Sequence, residues 1–265
     1  MLAFIVPVRP RATTPDWEDA SLHLRQCLHS LLSQTSGEFH IFCISHELPE
    51  LLPQDSRITY LQVHFPPPSG TTCSALEDVA KKRLLGISSL DSRFSHFMLV
   101  DGDDRVSKTL AEFVLKDRAS IGWYVGQGYH WSTKKRALSR WINFSDFCGT
   151  SIVFPVSARD IILNCENPIR GMSHEFSHNR VISTLSRNGI VFEPIPFPAV
   201  VYVYTARNNL SYRRFYFWFW GWKRRLRSKA TPVEMTQKIA KEFNLVGEDH
   251  LQTENGIGSW LSTSR

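Results

Sequence analysis

The sequence predicts an α/β sandwich with a largely parallel sheet, and two observations predict it. Short continuous apolar runs, beginning with "LAFIVPV" at residues 2–8, recur along the chain in the pattern of strands buried on both faces. Stretches with helical spacing and cap signals alternate with them from the first residue, the order that lays helices on both faces of such a sheet. Size agrees: 265 residues, 42% of them hydrophobic, can bury the core of one large domain, or of one domain with an appendage.

After the first strand and a polar loop, Thr14 reads as a helix cap with Pro15 at the first helical position and Asp16 and Glu18 in the first turn. Ala20, Leu24, Cys27, Leu28 and Leu31 then repeat at helical spacing to about Ser33. "FHIFCIS" is the second strand and "ITYLQVH" the third, followed by "PPPSGTT", a loop too rich in glycine and proline to be either element. Ser74 and Glu77 form a capping box for a helix carrying Leu76, Val79 and Leu84. "HFMLV" is the next strand, and Ser107 is set to cap the helix after it. Strands are expected at "IGWYV", "GTSIVF" and "AVVYVY", with helices near 157–164 and 173–187 and Gly189 at the end of the second.

The strand "HFMLV" runs into Asp101, Gly102, Asp103 and Asp104. Carboxylates this close repel, and each loses hydration where the chain folds over it. A solvated turn is one reading; a divalent cation or a ligand's hydroxyls between the carboxylates is the other. Ligands of open α/β sheets bind beyond the carboxyl ends of the strands, where these aspartates stand, and that favours the second.

Charge and cysteines narrow the class. The net charge is +6 and the pI about 9.1, yet seven basic residues and no acid lie between Arg213 and Lys229. The excess is one basic patch, which argues against a general nucleic-acid surface. Five scattered cysteines without a CxxC pair read as reduced, mostly buried thiols of a reducing compartment. An apolar strand two residues after Met1 leaves no signal peptide of the usual layout, and no run approaches the roughly eighteen apolar residues of a membrane span.

"FIVPVR", "LRQCLHSLLSQTSGEFHIFCIS" and "HFMLVDGDD" together resemble the start of family 2-type, GT-A-fold glycosyltransferases. Those open with a strand ending in proline, a helix reading L..CL.SL..QT and a second strand, with an Asp-x-Asp near residue 100. The resemblance covers 2–155 well and 155–212 loosely. It implies a GT-A-like, Rossmann-like three-layer sandwich with a helical C-terminal appendage. It divides the chain into a catalytic domain over 1–212 (a nucleotide-binding half over 1–105, an acceptor half over 106–212) and a segment over 213–265.

The activity implied is metal-dependent transfer of a sugar from a nucleotide-sugar donor to a hydroxyl of a glycan or glycolipid, with inversion. Mn²⁺ or Mg²⁺ would neutralise the departing diphosphate, and hard oxygen ligands suit such ions. By carry-over, Asp101 contacts the ribose or the metal, Asp103 is the principal metal ligand, and Gly102 lies between them at the nucleotide. Asp104 is a charge near the following helix. Pro7 and Arg9 end the first strand where the family holds the base. Among Lys81, Lys82 and Arg83, at most two can face the ligand; Lys82 is the candidate. The family's aspartate after the second strand is missing from "ISHELPE", leaving His46 or Glu47 to substitute.

"HEFSH", residues 174–178, carries two readings. As H-E-x-x-H on a helix, His174 and His178 would bind zinc with Glu175 as general base, although only Glu193 is near as a third ligand. In the transferase reading Glu175, or His174, takes the proton from the acceptor hydroxyl, and His178 either completes the metal site or is a polar helix residue. Ser173 reads as the helix cap. "FCGTSIVFP" resembles the acceptor-side strand, with Gly149 and Thr150 beside the sugar. Trp123, Trp131 and Trp141 are either sugar-stacking or core.

"RRFYFWFWGWKRR", residues 213–225, packs seven aromatics between basic pairs. It reads as an anionic-membrane contact at the cytoplasmic face of the cell membrane, or as an arm over the catalytic domain. "TPVEMTQKIAKEFNLV" is a short amphipathic helix. Three other classes stay open. A zinc metallohydrolase would use HEFSH, and an inactive sugar- or nucleotide-binding module would keep only the aromatics. A nucleotidyltransferase would want a glycine in "PVRPRATTPD", which has none.

Overall fold

The computed structural model of the chain describes residues 1–116, 121–178, 180–205 and 230–245. Its centre is β1 (Leu2–Pro7), every residue of which is buried. Alternation along this strand makes two cores. Leu2, Phe4 and Val6 face Leu24, Cys27, Leu28 and Leu31 of α1 (Trp17–Leu32). Ala3 and Ile5 face Ala80 and Ile87 of α2 (Thr72–Ser88). A strand clothed by helices on both sides has no solvated face, which is why it reads as an unbroken apolar run. Each Leu, Ile or Phe fully buried there is worth about 1.5–3 kcal/mol relative to exposure.

Around β1 stand β2 (Phe39–Ser45), β3 (Ile58–Gln62) and β4 (His96–Leu99), then β9 (Ile152–Pro155), β6 (Gly122–Tyr124) and β10 (Phe192–Pro194). Among the described residues they form one sheet in the order β10-β6-β9-β4-β1-β2-β3. β1 pairs in parallel with both β2 and β4, β2 pairs in parallel with β3, and β9 alone runs antiparallel to its neighbours β4 and β6. The chain moves outward from β1 to β3, then crosses back over α2 to β4 on the other side of β1. The fold is α/β, with a mostly parallel central sheet between helical layers. Helix α2 lies so close to β1 that a Cβ at Gly86 would come within 2.5 Å of Ile5 Cγ2. Helices α4 (Ala158–Leu163), α5 (Pro168–Ser173) and α6 (Val181–Ser186) share the α2 side, and α3 (Leu110–Lys116) the α1 side.

A second sheet, in the order β12-β8-β7-β11-β5, gathers distant segments. These are β5 (Arg105–Val106), the hairpin of β7 (Gln127–Ser132) and β8 (Ala137–Ile142), β11 (Val200–Tyr204) and β12 (Thr231–Val233). Helix α7 (Gln237–Glu242) closes it, with Phe243 and Leu245 buried against Leu138, Val201 and Val203. The Ser107 hydroxyl donates to Glu242 Oε1 at 2.5 Å, and Lys108 N–H to the Glu242 carbonyl at 3.1 Å.

Several expectations need correction. Asp16, not Thr14, caps α1: its carboxylate accepts the Asp19 N–H at 3.1 Å. Thr71 caps α2 by accepting the Ser74 N–H, so Ser74 lies inside the helix. Where one helix was expected over 173–187, α5 ends at Ser173 and α6 begins at Val181, with non-helical chain described between them. Asn167 caps α5, with Pro168 in its first turn, and α5 ends at Ser173. The Ser177 hydroxyl then bonds the His174 carbonyl at 2.6 Å, competing with helix continuation, and Phe176 N–H closes on Gly171 O at 2.8 Å. The expected amphipathic helix over 231–246 is β12 followed by α7, both joined to the second sheet. The basic-aromatic run 213–225 and its expected surface role lie outside the described residues. Among the described residues no helix is long and apolar enough to cross a membrane.

Candidate functional site

Strand order reverses between β1 and β4, and the carboxyl ends of these two strands open into a cleft of about 510 Å³. This is where an open α/β sheet binds ligands. Pro7, Val8 and Arg9 leave β1 along one wall; Asp101, Gly102 and Asp103 leave β4 along the floor. Helix α2 lends Asp78, Val79 and Arg83, helix α1 lends Trp17 and His23, and the turn over 174–178 lends Phe176, Ser177 and His178.

The aspartate turn is fixed from several directions. Asp101 N–H donates to Thr150 Oγ1 at 2.8 Å, and Asp104 N–H donates to Asp101 O at 3.0 Å. The Asp101 carboxylate meets Arg83 Nη2 at 3.0 Å, and its other oxygen lies 2.6 Å from where a Cβ on Gly149 would stand. Gly149 is therefore a space for that carboxylate. Arg83 Nε is buried without a hydrogen-bond partner in the protein. An orphaned guanidinium donor in a cleft is a ready contact for an anion.

Asp103 and Asp104 differ in surroundings. Asp103 is half-buried in the cleft, and lost hydration together with the charge of Asp101 pushes its pKa up to about 6. Asp104 is fully buried: Oδ1 accepts the Val203 N–H at 3.1 Å and Oδ2 accepts the Cys148 thiol at 3.4 Å. Burial, then Asp103 and Asp101, drive its pKa well above the ordinary carboxylate value. The helix-proximal charge expected there is instead a strut between the two sheets. Arg105, also fully buried, donates to Asp103 O at 2.8 Å and Gln26 Oε1 at 2.5 Å, fastening the turn to α1.

The expected cation on α2 is corrected by one residue. Lys82 is fully buried, with Nζ 2.7 Å from Asp78 Oδ2 and 2.8 Å from Val8 O. Lys81 pairs with Glu77 on the outer face, and Arg83 is the cation that reaches the cleft. Thr150 is also corrected: it is fully buried and holds the aspartate turn from behind, while Gly149 lines the cleft. His174 and Glu175 are exposed and outside the lining, whereas His178 is in it. The zincin geometry is absent, because 174–178 is a turn. Glu193 stands exposed on β10, and among the described residues no three His, Cys, Asp or Glu side chains group to hold a metal. Trp123 is core, edge-on to Phe113, and Trp141 stacks on His130 at 4.8 Å; neither they nor Trp131 line the cleft. Pro7, Arg9, Asp101, Gly102 and Asp103 all line the one cleft.

Asp78, His23 and Trp17 were missed. Asp78 carried a signal, since Asp and Lys four residues apart on a helix pair. His46 lies across from it, with Nε2 2.7 Å from Asp78 Oδ1, and Glu47 Oε1 accepts the Arg11 N–H.

No family model matches the chain, and no curated protein matches it. Among solved structures, S. aureus TarS 1–349 has a TM-score of 0.47 at 10% identity over 76% of this chain and 60% of that one. S. aureus TarS gives 0.46 at 10% identity over 77% and 37%. The 4-diphosphocytidyl-2C-methyl-D-erythritolsynthase from Anaerococcus prevotii DSM 20548 gives 0.41 at 12% over 79% and 89%. The chain thus spans about 60% of the length of the shorter TarS chain. These likenesses concern backbone arrangement alone, and the α/β assignment stands on the strand order and the two cores.

Proposed function

We propose that the chain is a glycosyltransferase that takes a nucleotide-sugar in this cleft and passes the sugar to a hydroxyl of a glycan or glycolipid, with inversion. The observation that carries the reading is the pairing of Asp101 and Asp103 with Arg83 at the strand-order reversal. The two carboxylates repel each other and Arg83 keeps an unused buried donor, so the cleft suits a cation and a diphosphate together. Two carboxylates plus phosphate oxygens are the usual ligand set of Mg²⁺. Asp101 and Asp103 would hold Mn²⁺ or Mg²⁺, which when bound supplies neutralisation of the leaving diphosphate.

In this reading Arg83 and Arg9 bind the diphosphate, and Gly149 leaves room for Asp101. The base moves from Glu175 to His178, which lines the cleft; His23 lines it too but is engaged by Asp19 at 3.5 Å and Arg105 at 3.4 Å. As the acceptor oxygen bonds to the anomeric carbon, the bond from that carbon to the diphosphate oxygen breaks and its electron pair leaves with the diphosphate. The hydroxyl proton passes to His178. The acceptor class, and work at the cytoplasmic face of a membrane, rest on the basic-aromatic sequence 213–225.

Calorimetry with nucleoside diphosphates, with and without Mn²⁺, tests this. The intact chain is expected to bind one or more only when Mn²⁺ is present. Asp103→Ala is expected to lose that dependence while keeping its circular dichroism spectrum. Unchanged Mn²⁺-dependent affinity in the variant would remove Asp103 from the site.

A further inference from the structure

The hairpin of β7 and β8 turns through Thr133, Lys134, Lys135 and Arg136, so three of its four turn residues are basic. All three are exposed, and Arg140 adds a fourth exposed cation on β8. One acid, Glu234, follows Val233, the partner of Leu138, which leaves the hairpin strongly positive. Arg136 takes φ 48°, a left-handed conformation that glycine or asparagine adopts more easily. An arginine held there argues for a use of its side chain. The charges also stand on a firm base. Ser132 and Ala137 close the ladder, the Lys135 N–H reaches Ser132 Oγ at 3.3 Å, and Leu138 behind the tip is buried with Val201 and Val203.

The tip lies beside the cleft. The Thr133 N–H donates to Tyr204 O at 3.2 Å, and Thr205, the next residue, lines the cleft. None of the four cations is in that lining, so they stand at its rim. The described chain leaves at Thr205 and resumes at Ala230, and Thr231 pairs with Arg140. Both ends of the intervening sequence are thus fixed to this hairpin. That sequence carries seven basic residues and no acid between Arg213 and Lys229, with seven aromatics over 213–225. Cations alone would suit a nucleic acid or a membrane. Aromatics interleaved with cations favour the membrane, because such rings settle at the headgroup level while the cations meet lipid phosphates.

We propose that the β7–β8 hairpin docks the chain on an anionic bilayer, with Lys134, Lys135 and Arg136 against the headgroups and the rim of the cleft held at the lipid surface. The proposal rests on the transferase reading for its purpose alone, which is to bring a lipid-borne acceptor to the cleft. Four clustered cations are enough for recognition of anionic lipid, and each is worth about fivefold in partitioning.

The test is co-sedimentation of the full chain with vesicles of equal parts phosphatidylcholine and phosphatidylglycerol, beside vesicles of phosphatidylcholine alone. The unaltered chain is expected to bind the first and not the second, and to bind more weakly as salt rises. The triple variant Lys134→Gln, Lys135→Gln and Arg136→Asn is expected to bind at least about tenfold more weakly. Asparagine suits the left-handed position, so an unchanged thermal melt is expected. Mn²⁺-dependent binding of nucleoside diphosphates is expected to be the same in both, because none of the three residues lines the cleft. Equal vesicle binding by the variant overturns this assignment and leaves the transferase reading standing. So does an unaltered chain that ignores the anionic vesicles, or one that soluble heparin binds while the vesicles do not. A variant that loses nucleotide binding as well would put the cations in the cleft, and that also overturns it. Nucleoside diphosphates that fail to bind the unaltered chain overturn the transferase reading instead, and the vesicle ranking then decides this assignment by itself.

Discussion

Asp101 keeps its carboxylate where it is because residue 149 has no side chain. The Cβ of an alanine there would stand 2.6 Å from Asp101 Oδ2, inside any real contact distance, while Arg83 holds the other oxygen at 3.0 Å. Something must give, and the half-exposed carboxylate is freer to move than the buried strand behind it. Gly149→Ala is therefore expected to weaken Mn²⁺-dependent nucleotide binding by about tenfold or more and to shift the melting temperature little. Calorimetry beside a thermal melt separates the two effects. A large drop in melting temperature with normal binding would mean that Gly149 serves packing. The contact was not legible in the sequence: "FCGTSIVFP" gives Gly149 and Thr150 one apparent job, and only the fold turns one towards the cleft and the other behind the aspartates.

Helix α2 carries the sharpest separation of neighbours. Lys81, Lys82 and Arg83 project about 100° apart, so one pairs outward with Glu77, one is sealed against Asp78 and one enters the cleft. Lys82→Ala leaves Asp78 buried beside an empty space and is expected to cost about 3–5 kcal/mol. Lys81→Ala removes a half-exposed pair and is expected to cost under about 0.5 kcal/mol. Urea unfolding of both variants measures the difference, and equal costs would deny the buried pair its role. Helix phase was readable from the triple; which residue faced inward was not, because the sequence does not show where β1 lies. The turn over 174–178 was misread for a related reason. Its serine and histidine residues suit a helix start or a turn equally, and Asn167 with Pro168 is the start signal actually used. His178→Ala is accordingly expected to lower sugar transfer by about 10²–10⁴-fold with donor binding intact, and Glu175→Gln to leave transfer unchanged. Rates in single-turnover assays decide between them; the reverse result would return the base to Glu175.

Across the whole molecule, the first sheet apart from the short β10 was legible because its strands are continuous apolar runs joined by nearby helices. Of the second sheet only β11, the "AVVYVY" run, was. β7 mixes polar and aromatic residues, its hairpin turns through Arg136 at φ 48° without a glycine or asparagine, and β5 and β12 are two and three residues long. Two carboxylates of the aspartate turn contribute to the acid behaviour of the fold. Asp103 and Asp104 have folded-state pKa values above the ordinary value of about 3.9, so between about pH 4 and 6 the folded chain holds protons that the unfolded chain has released. Their contribution to stability therefore rises as pH falls through that window. His130, pushed down to about 4 by burial, and His40, also lowered by burial, act in the opposite sense across the same window, and Asp55, held at about 2 by Arg57, does so below about pH 4. Asp103→Asn isolates the carboxylate: scanning calorimetry of metal-free protein is expected to show the unaltered chain losing more melting temperature from pH 5 to pH 7 than this variant does. An equal or smaller loss in the unaltered chain would mean that the aspartate turn is not under the strain described.

The tie from Ser107 to Glu242, together with the Val203 N–H on Asp104, bears on the order of synthesis. When the chain leaves the ribosome, β1 to β4 and their helices are complete some hundred residues before Val203 appears, and Glu242 follows later still. Until then Asp104 has no backbone donor from β11, and the turn that carries Asp101 and Asp103 rests on Arg105, Arg83 and Thr150 without that strut. The floor of the cleft is thus completed by chain synthesised well after the strands that carry it.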